Sequence, residues 1–251
     1  MFCQSCFQFL QRFTSYYQLA RPLFRPGSSG WLIAHEIAFG GYVDRVPVRI
    51  ASPFDSRTES QLANTTMAGG DRMLHHRYAG AYARYLEPFV VRAGPERESP
   101  ERLTIVEVGT LYGTGLALWC ELFPASRIIG LDIDTEPYYA NQRNLRERGA
   151  FAHNVPELYV FDQLDTGPRN RERVSQLLLN ERFDICIDDG LHSNRSILNT
   201  MSLLAPYLAE RFLYVIEDNS GVHRHVRARY PQFKVESEGE LTIVTPGELS
   251  K

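Results

Sequence analysis

"LTIVEVGTLYGTGLALWCELFPASRIIGLDID", residues 103–134, reads as strand, glycine turn, helix, strand. The first run is apolar at almost every position, which suits a strand covered on both faces. It empties into Gly109, Gly113 and Gly115, spaced G-x3-G-x-G, and helical periodicity begins at once over 114–123. Glycines at such a turn let the backbone approach a bound ligand just before a helix amino end. A dinucleotide-binding turn would instead carry G-x-G-x-x-G to receive a pyrophosphate, and that spacing is absent, which argues against a nicotinamide oxidoreductase.

Outward from this stretch the rhythm repeats. The runs "LYVFD" (158–162), "FDICIDD" (183–189) and "FLYVIED" (212–218) alternate with helical stretches at 136–148, 168–180, 194–208 and 220–229. Alternation at this spacing predicts a parallel sheet with helices on both faces. The closing "FKVESEGELTIVTP" (233–246) is two alternating runs hinged at "SEGE", an antiparallel hairpin. Five parallel strands followed by a hairpin resemble the seven-stranded, mostly parallel sheet of the Rossmann-like class I methyltransferases. The expected α/β domain covers 71–251, preceded by a helical or irregular extension over 1–70.

Within that extension Phe2, Cys6, Phe9, Leu10, Phe13, Tyr17 and Leu19 form roughly a helical stripe over 1–22, suited to docking on the body or on another subunit. "RPLFRPGSSG" (21–30) breaks it, and residues 31–70 are expected to be a lid or cover with little regular structure beyond a strand-like "VPVRIA" (46–51). From Asp71 to Val91 the spacing of Met73, Leu74, Tyr78, Tyr82, Tyr85, Leu86 and Phe89 predicts a helix.

Composition narrows the class. With 43% hydrophobic residues, 23% charged and a formal charge of -3, the chain offers no electrostatic reason to bind nucleic acid. No apolar window is long enough for a membrane span, and the first residues lack a basic secretory start, so a cytoplasmic protein is expected. Of the four cysteines, Cys120 and Cys186 fall in apolar runs where buried thiols are usual, and Cys3 and Cys6 have no second pair of ligands with which to hold zinc. Aromatic residues near the amino end favour a homo-oligomer.

The strand ends carry the chemistry. Glu107, just before the glycine turn, suits a ligand bearing an ammonium group and a sulfonium. Asp132 ends the second strand, where it can take the hydroxyls of a ribose, and Asp162 with Gln163 ends the third, where an adenine amine can be met. Three such tips in this order point to S-adenosylmethionine.

Two further tips are acidic, "RFDICIDDGLH" (182–192) and "RFLYVIEDNSG" (211–221). If their strands are neighbours, the tips lie about 5 Å apart. Asp188 or Asp189 then faces Glu217 and Asp218, and carboxylates so crowded repel one another unless a cation lies among them. Oxygen ligands suit Mg2+ or Mn2+. His192, three residues after Asp189, can remove the proton of a hydroxyl held at such an ion.

These motifs resemble the metal-dependent sugar O-methyltransferases of natural-product pathways, including macrolide and tetracenomycin deoxysugar enzymes, and the related cephalosporin-hydroxylase-like group. The likeness covers about 69–220. "DRMLHHRY" (71–78) is similar to the family's D-K-x-x-x-H-x-Y with Arg72 in place of lysine, "DQLD" (162–165) to its D-Q-x-D, "IDDGLH" (187–192) to its D-D-G-S-H, and "VIED" (215–218) is the matching tip of the following strand. Leu191 replaces a small polar residue. The resemblance implies metal ligation by Asp189, Glu217 and Asp218, and His192 as general base. On the methyl-donor side it implies Glu107, Gly109, Asp132, Asp162 and Gln163, a set extended to Thr110, Gly113, Gly115, Asp188, His76 and Tyr78. The acceptor it implies is a small glycosylated natural product or polyol. A metal-independent N- or O-methyltransferase and a non-catalytic donor-binding subunit are the alternatives.

Overall fold

The structure is a computed structural model that describes residues 19–40, 72–74, 76–178 and 181–247. Cys3, Cys6, Asp71, the stretch 46–51 and all but the end of the stripe over 1–22 lie outside the described residues. By its internal contacts the chain forms two compact units, one comprising residues 102–110, 126–135 and 156–251, the other 1–101, 111–125 and 136–155.

The first unit is the sheet. Strands β1 (Thr104–Val108), β2 (Arg127–Asp132), β3 (Glu157–Val160), β4 (Phe183–Asp188), β5 (Leu208–Ile216), β6 (Phe233–Glu238) and β7 (Leu241–Pro246) lie in the order β3-β2-β1-β4-β5-β7-β6. The first five run parallel, and β7 runs antiparallel between β5 and β6. The seven strands, the parallel run and the closing hairpin agree with the reading of the sequence. Beside β1 the strand order reverses, and ligands of open α/β sheets bind beyond the carboxyl ends at such a switch.

One face of the sheet carries Val106, Val108, Ile129, Leu131, Cys186, Tyr214 and Ile216 into a single apolar core with Val174, Ile197, Met201, Leu204 and Val226. The latter come from helices Pro168–Leu177, Asn194–Leu204 and His223–Arg229. The alternate residues Ile105, Glu107, Ile185, Ile187, Leu213 and Val215 are buried too, which is why these strands read as continuous apolar runs. At the amino end of the sheet Arg127 donates to both oxygens of Glu157 (2.9 and 2.8 Å) and to Glu181 (2.9 Å), tying β2 to β3 far from the functional edge.

The second unit is helical among its described residues: α1 (Ser29–Gly40), α2 (Ala79–Ala93), α3 (Thr114–Leu122) and α4 (Glu136–Glu147). The sheet unit's helices complete the series as α5 (Pro168–Leu177), α6 (Asn194–Leu204) and α7 (His223–Arg229). Helix α1 corrects the expectation of little regular structure after residue 31, as far as residue 40. Ser28 starts it, its Oγ accepting from Trp31 N (3.3 Å) and its carbonyl from Leu32 N (2.9 Å). Buried Glu36 on this helix accepts from the backbone N–H groups of Met73 and Leu74 (2.8 and 3.0 Å), so residues 72–74 form a turn, and α2 starts only at Ala79. That also corrects the helix expected from Asp71.

Candidate active site at the carboxyl edge of the sheet

Backbone bonds hold the strand tips in register one residue beyond their ends. Gly109 N donates to Leu131 O (2.8 Å), Asp189 N to Val108 O (2.8 Å), Phe161 N to Asp132 O (2.6 Å) and Glu217 N to Asp188 O (3.0 Å). Gly109 has a left-handed backbone (φ 83°), and a Cβ there would overlap the Asp189 carbonyl and come within 2.7 Å of Gly190 Cα. Glycine is therefore what lets the end of β1 lie directly against the end of β4.

Beyond β1 and β2 the polar groups are knitted together. Asp132 Oδ2 accepts from Thr110 N (2.6 Å) and Thr110 Oγ1 (3.2 Å), and its Oδ1 accepts from Asp134 N (3.2 Å). The carboxylate expected at a ribose thus also fixes the glycine turn. Glu107 lies inside β1 and is 2% exposed. Asp162 folds its own loop, Oδ1 accepting from Leu164 N (2.8 Å).

Gln163, expected at the adenine, is occupied within the sheet unit. Its Nε2 donates to Asp188 Oδ1 (2.8 Å) and Thr200 Oγ1 (2.9 Å), and its Oε1 accepts from Leu191 N (2.7 Å). Asp188 itself is buried and also accepts from Tyr214 Oη (3.4 Å). Burial pushes its carboxyl up to about 7, against the opposing hydrogen bonds from Gln163, the Gly190 N–H and Tyr214, while nearby Glu217 adds to the rise. The two adjacent aspartates therefore differ in kind. Asp188 braces the core, and Asp189 is turned to the edge.

Asp189, His192 and Asp218 come together, with one ligand atom of each inside a mutual 4.8 Å. The His192 Nε2 stands 3.9 Å from Asp189 Oδ1, and its Nδ1 is buried without a hydrogen-bond partner among the described residues. His192 (φ 55°) and Asp218 (φ 54°) both hold left-handed backbones. For a non-glycine residue that costs about 1–2 kcal/mol, and such strain gathers at functional sites. Ser193 then caps α6, its Oγ accepting from Ser196 N (3.1 Å), so His192 is fixed immediately before the helix. Asp189 and Asp218, with His192 alongside, fit a divalent ion: ligand distances of roughly 2.0–2.6 Å place neighbouring donor atoms about 3–4 Å apart. Glu217, the third expected ligand, stands outside this group and is 2% exposed.

The remaining expected residues belong to the helical unit. His76 stacks on Tyr78 (centroids 5.3 Å apart), and Tyr78 N donates to Arg72 O (3.2 Å). Gly113 is left-handed (φ 81°), a Cβ there would overlap the Tyr138 ring, and Gly115 is the second residue of α3. Asn219 escaped the reading of the sequence. Its Nδ2 donates to His192 O (2.8 Å) and Asn194 Oδ1 (3.0 Å), and its Oδ1 accepts from Gly221 N (2.9 Å) and Val222 N (2.8 Å). An asparagine just after an acidic strand end is the only local signal for it, and it reads equally well as a turn residue.

This strand order, with an antiparallel seventh strand between the fifth and the sixth, is the class I methyltransferase fold. No family model matches the chain. The L-olivosyl-oleandolide 3-O-methyltransferase of Streptomyces antibioticus is 28% identical over 148 residues, which are 57% of this chain and 32% of that enzyme. The match thus spans about a third of the relative's length. Among solved structures, the MycE methyltransferase from the mycinamycin biosynthetic pathway, in complex with Mg, SAH and mycinamycin VI, is similar with a TM-score of 0.52 at 19% identity, over 71% of this chain and 51% of that one. A second MycE complex, with Mg and SAH, gives 0.48 at 17% identity over 75% and 58%.

Proposed function

We propose that the protein is a divalent-metal-dependent, S-adenosylmethionine-dependent O-methyltransferase acting on a sugar hydroxyl of a glycosylated natural product. The observation that carries this reading is the convergence of Asp189, His192 and Asp218 within 4.8 Å at the carboxyl edge of β4 and β5, one strand from the glycine turn of β1. The relative's name, a 3-O-methyltransferase of an olivosyl-oleandolide, supports a macrolide-borne deoxysugar as the acceptor class.

In this reading Asp189 and Asp218 would hold Mg2+ or Mn2+, with buried Glu217 the neighbouring carboxylate at the end of β5. The ion supplies Lewis acidity, lowering the pKa of an acceptor hydroxyl. His192 receives the hydroxyl proton as the acceptor oxygen attacks the methyl carbon, and the bond from that carbon to the donor sulfur breaks with its electron pair going to sulfur. Asp132 and Asp162 take the polar groups of the donor nucleoside, and Glu107 adds negative charge for its cationic end. The chain's chief contribution is alignment of the reacting atoms.

The test is transfer of labelled methyl from S-adenosylmethionine to a deoxysugar-bearing macrolide and to its aglycone. Incorporation only into the glycoside, abolished by a chelator and restored by Mg2+ or Mn2+, is expected. Transfer that is indifferent to the chelator would remove the metal from the account.

A further inference from the structure

Two side-chain amides grip the segment that presents the acidic cluster. Gln163 reaches from the loop after β3 to Asp188 Oδ1, and to the backbone N–H of Leu191. A Cβ at Gly190 would overlap the Gln163 amide oxygen, so the Gln163 amide packs directly against the backbone of residue 190 and would have to move if a side chain stood there. Asn219 grips the other end. It follows Asp218 directly and donates to the carbonyl of His192, while its own oxygen collects the N–H groups of Gly221 and Val222. One amide therefore ties the turn after β5 to the turn after β4, across the two residues of the cluster with left-handed backbones.

We propose that Gln163 and Asn219 are positioning residues that hold Asp189 and Asp218 in ligating geometry with His192 beside them, and that Gln163 acts on the metal side of the site rather than as a contact for adenine. This rests on the metal-centred reading above. Neither amide belongs to the cluster of ligand atoms, yet together they bond to the backbone of Leu191 and His192 and to Asp188, which flank Asp189 on both sides. Left-handed residues relax toward commoner conformations when unsupported, and separated carboxylates bind an ion weakly. Outer partners that orient metal ligands typically contribute 10–100-fold in affinity.

The experiment measures Mn2+ binding to the full-length protein by water-proton relaxation, and S-adenosylmethionine binding by calorimetry, on the wild type and on Asn219→Ser, Asn219→Ala, Gln163→Met and Asp218→Asn. Serine at 219 keeps an oxygen for the turn and loses both donated bonds. Asn219→Ser and Gln163→Met are each expected to weaken Mn2+ binding 10–100-fold while donor affinity stays within about twofold of wild type. The unchanged donor binding shows that the variants are folded, and if Asn219→Ala fails that check the serine variant carries the test. Wild-type Mn2+ affinity in either amide variant, or a fall in donor affinity alone for Gln163→Met, overturns the inference. If instead Asp218→Asn binds Mn2+ like the wild type, the metal-centred reading itself has failed.

Discussion

The carboxyl edge of this sheet ends in two different ways. Beyond β1–β3 the side chains are bound to the protein's own backbone: Asp132 to Thr110 and Asp134, Asp162 to Leu164, Gln163 to Leu191. Beyond β4 and β5 two carboxylates and an imidazole are brought within 4.8 Å, on turns where His192 and Asp218 hold strained backbone conformations. The first half finds its hydrogen-bond partners within the chain. The second concentrates charge whose repulsion a cation relieves. One sheet edge thus carries an internally bonded half beside a crowded acidic one, because parallel register and the bonds just past the strand ends hold both in place.

The largest effect that separates the halves is expected from His192→Ala. Loss of this proposed general base is expected to lower kcat by about 10²–10⁴-fold while donor affinity stays unchanged. A variant that also loses Mn2+ binding would make His192 a ligand instead. Gly109→Ala joins the two halves and should damage both. A side chain at a left-handed glycine, driven into Asp189 and Gly190, costs roughly 2–5 kcal/mol of stability, readable in urea unfolding.

A third test uses a region outside both. Burial pushes the His35 imidazole down from 6.5 to about 4, although its Nδ1 lies 2.9 Å from the Trp31 carbonyl. Below pH 6.5 the unfolded chain takes up a proton that the folded chain refuses. The contribution of this group is therefore complete above pH 6.5 and lost as pH falls toward 4, by roughly 3 kcal/mol in all. Urea unfolding of the wild type and of His35→Leu between pH 7.5 and 4.5 checks this, the variant showing the flatter profile. It also separates acid unfolding from any acid sensitivity of the Asp189, His192 and Asp218 group. The smallest effect is expected from Asp132→Asn, which should weaken donor binding about tenfold, the difference between a charged and a neutral hydrogen-bond acceptor, and leave Mn2+ binding alone.

The sheet was legible because strands buried on both faces leave unbroken apolar runs, and the acids at their ends mark the edge where ligands bind. Helix α1 was not legible. "SGWLIAHEIAFG" is apolar around most of its circumference and even its His35 and Glu36 are buried, so no amphipathic stripe announces a helix. The identities of the acidic cluster were only partly legible. Counting residues cannot tell Asp188 from Asp189, because what divides them is strand alternation, which turns Asp188 toward Gln163 and Tyr214. His192 was expected near Asp189 from its place three residues on, but counting cannot tell that Glu217 stands outside the group of Asp189, His192 and Asp218, since that depends on how the turns after β4 and β5 lie in space. Asn219 was hidden for the same reason. Its partners lie 25–27 residues away and become neighbours only when β4 and β5 pair.

Crystals soaked in Mn2+ and S-adenosylmethionine, measured for anomalous scattering from manganese, give the most direct test. A peak within about 2.5 Å of carboxylate oxygens of both Asp189 and Asp218 is the expected result. Density for the bound donor beside a cluster that takes up no manganese would contradict the account.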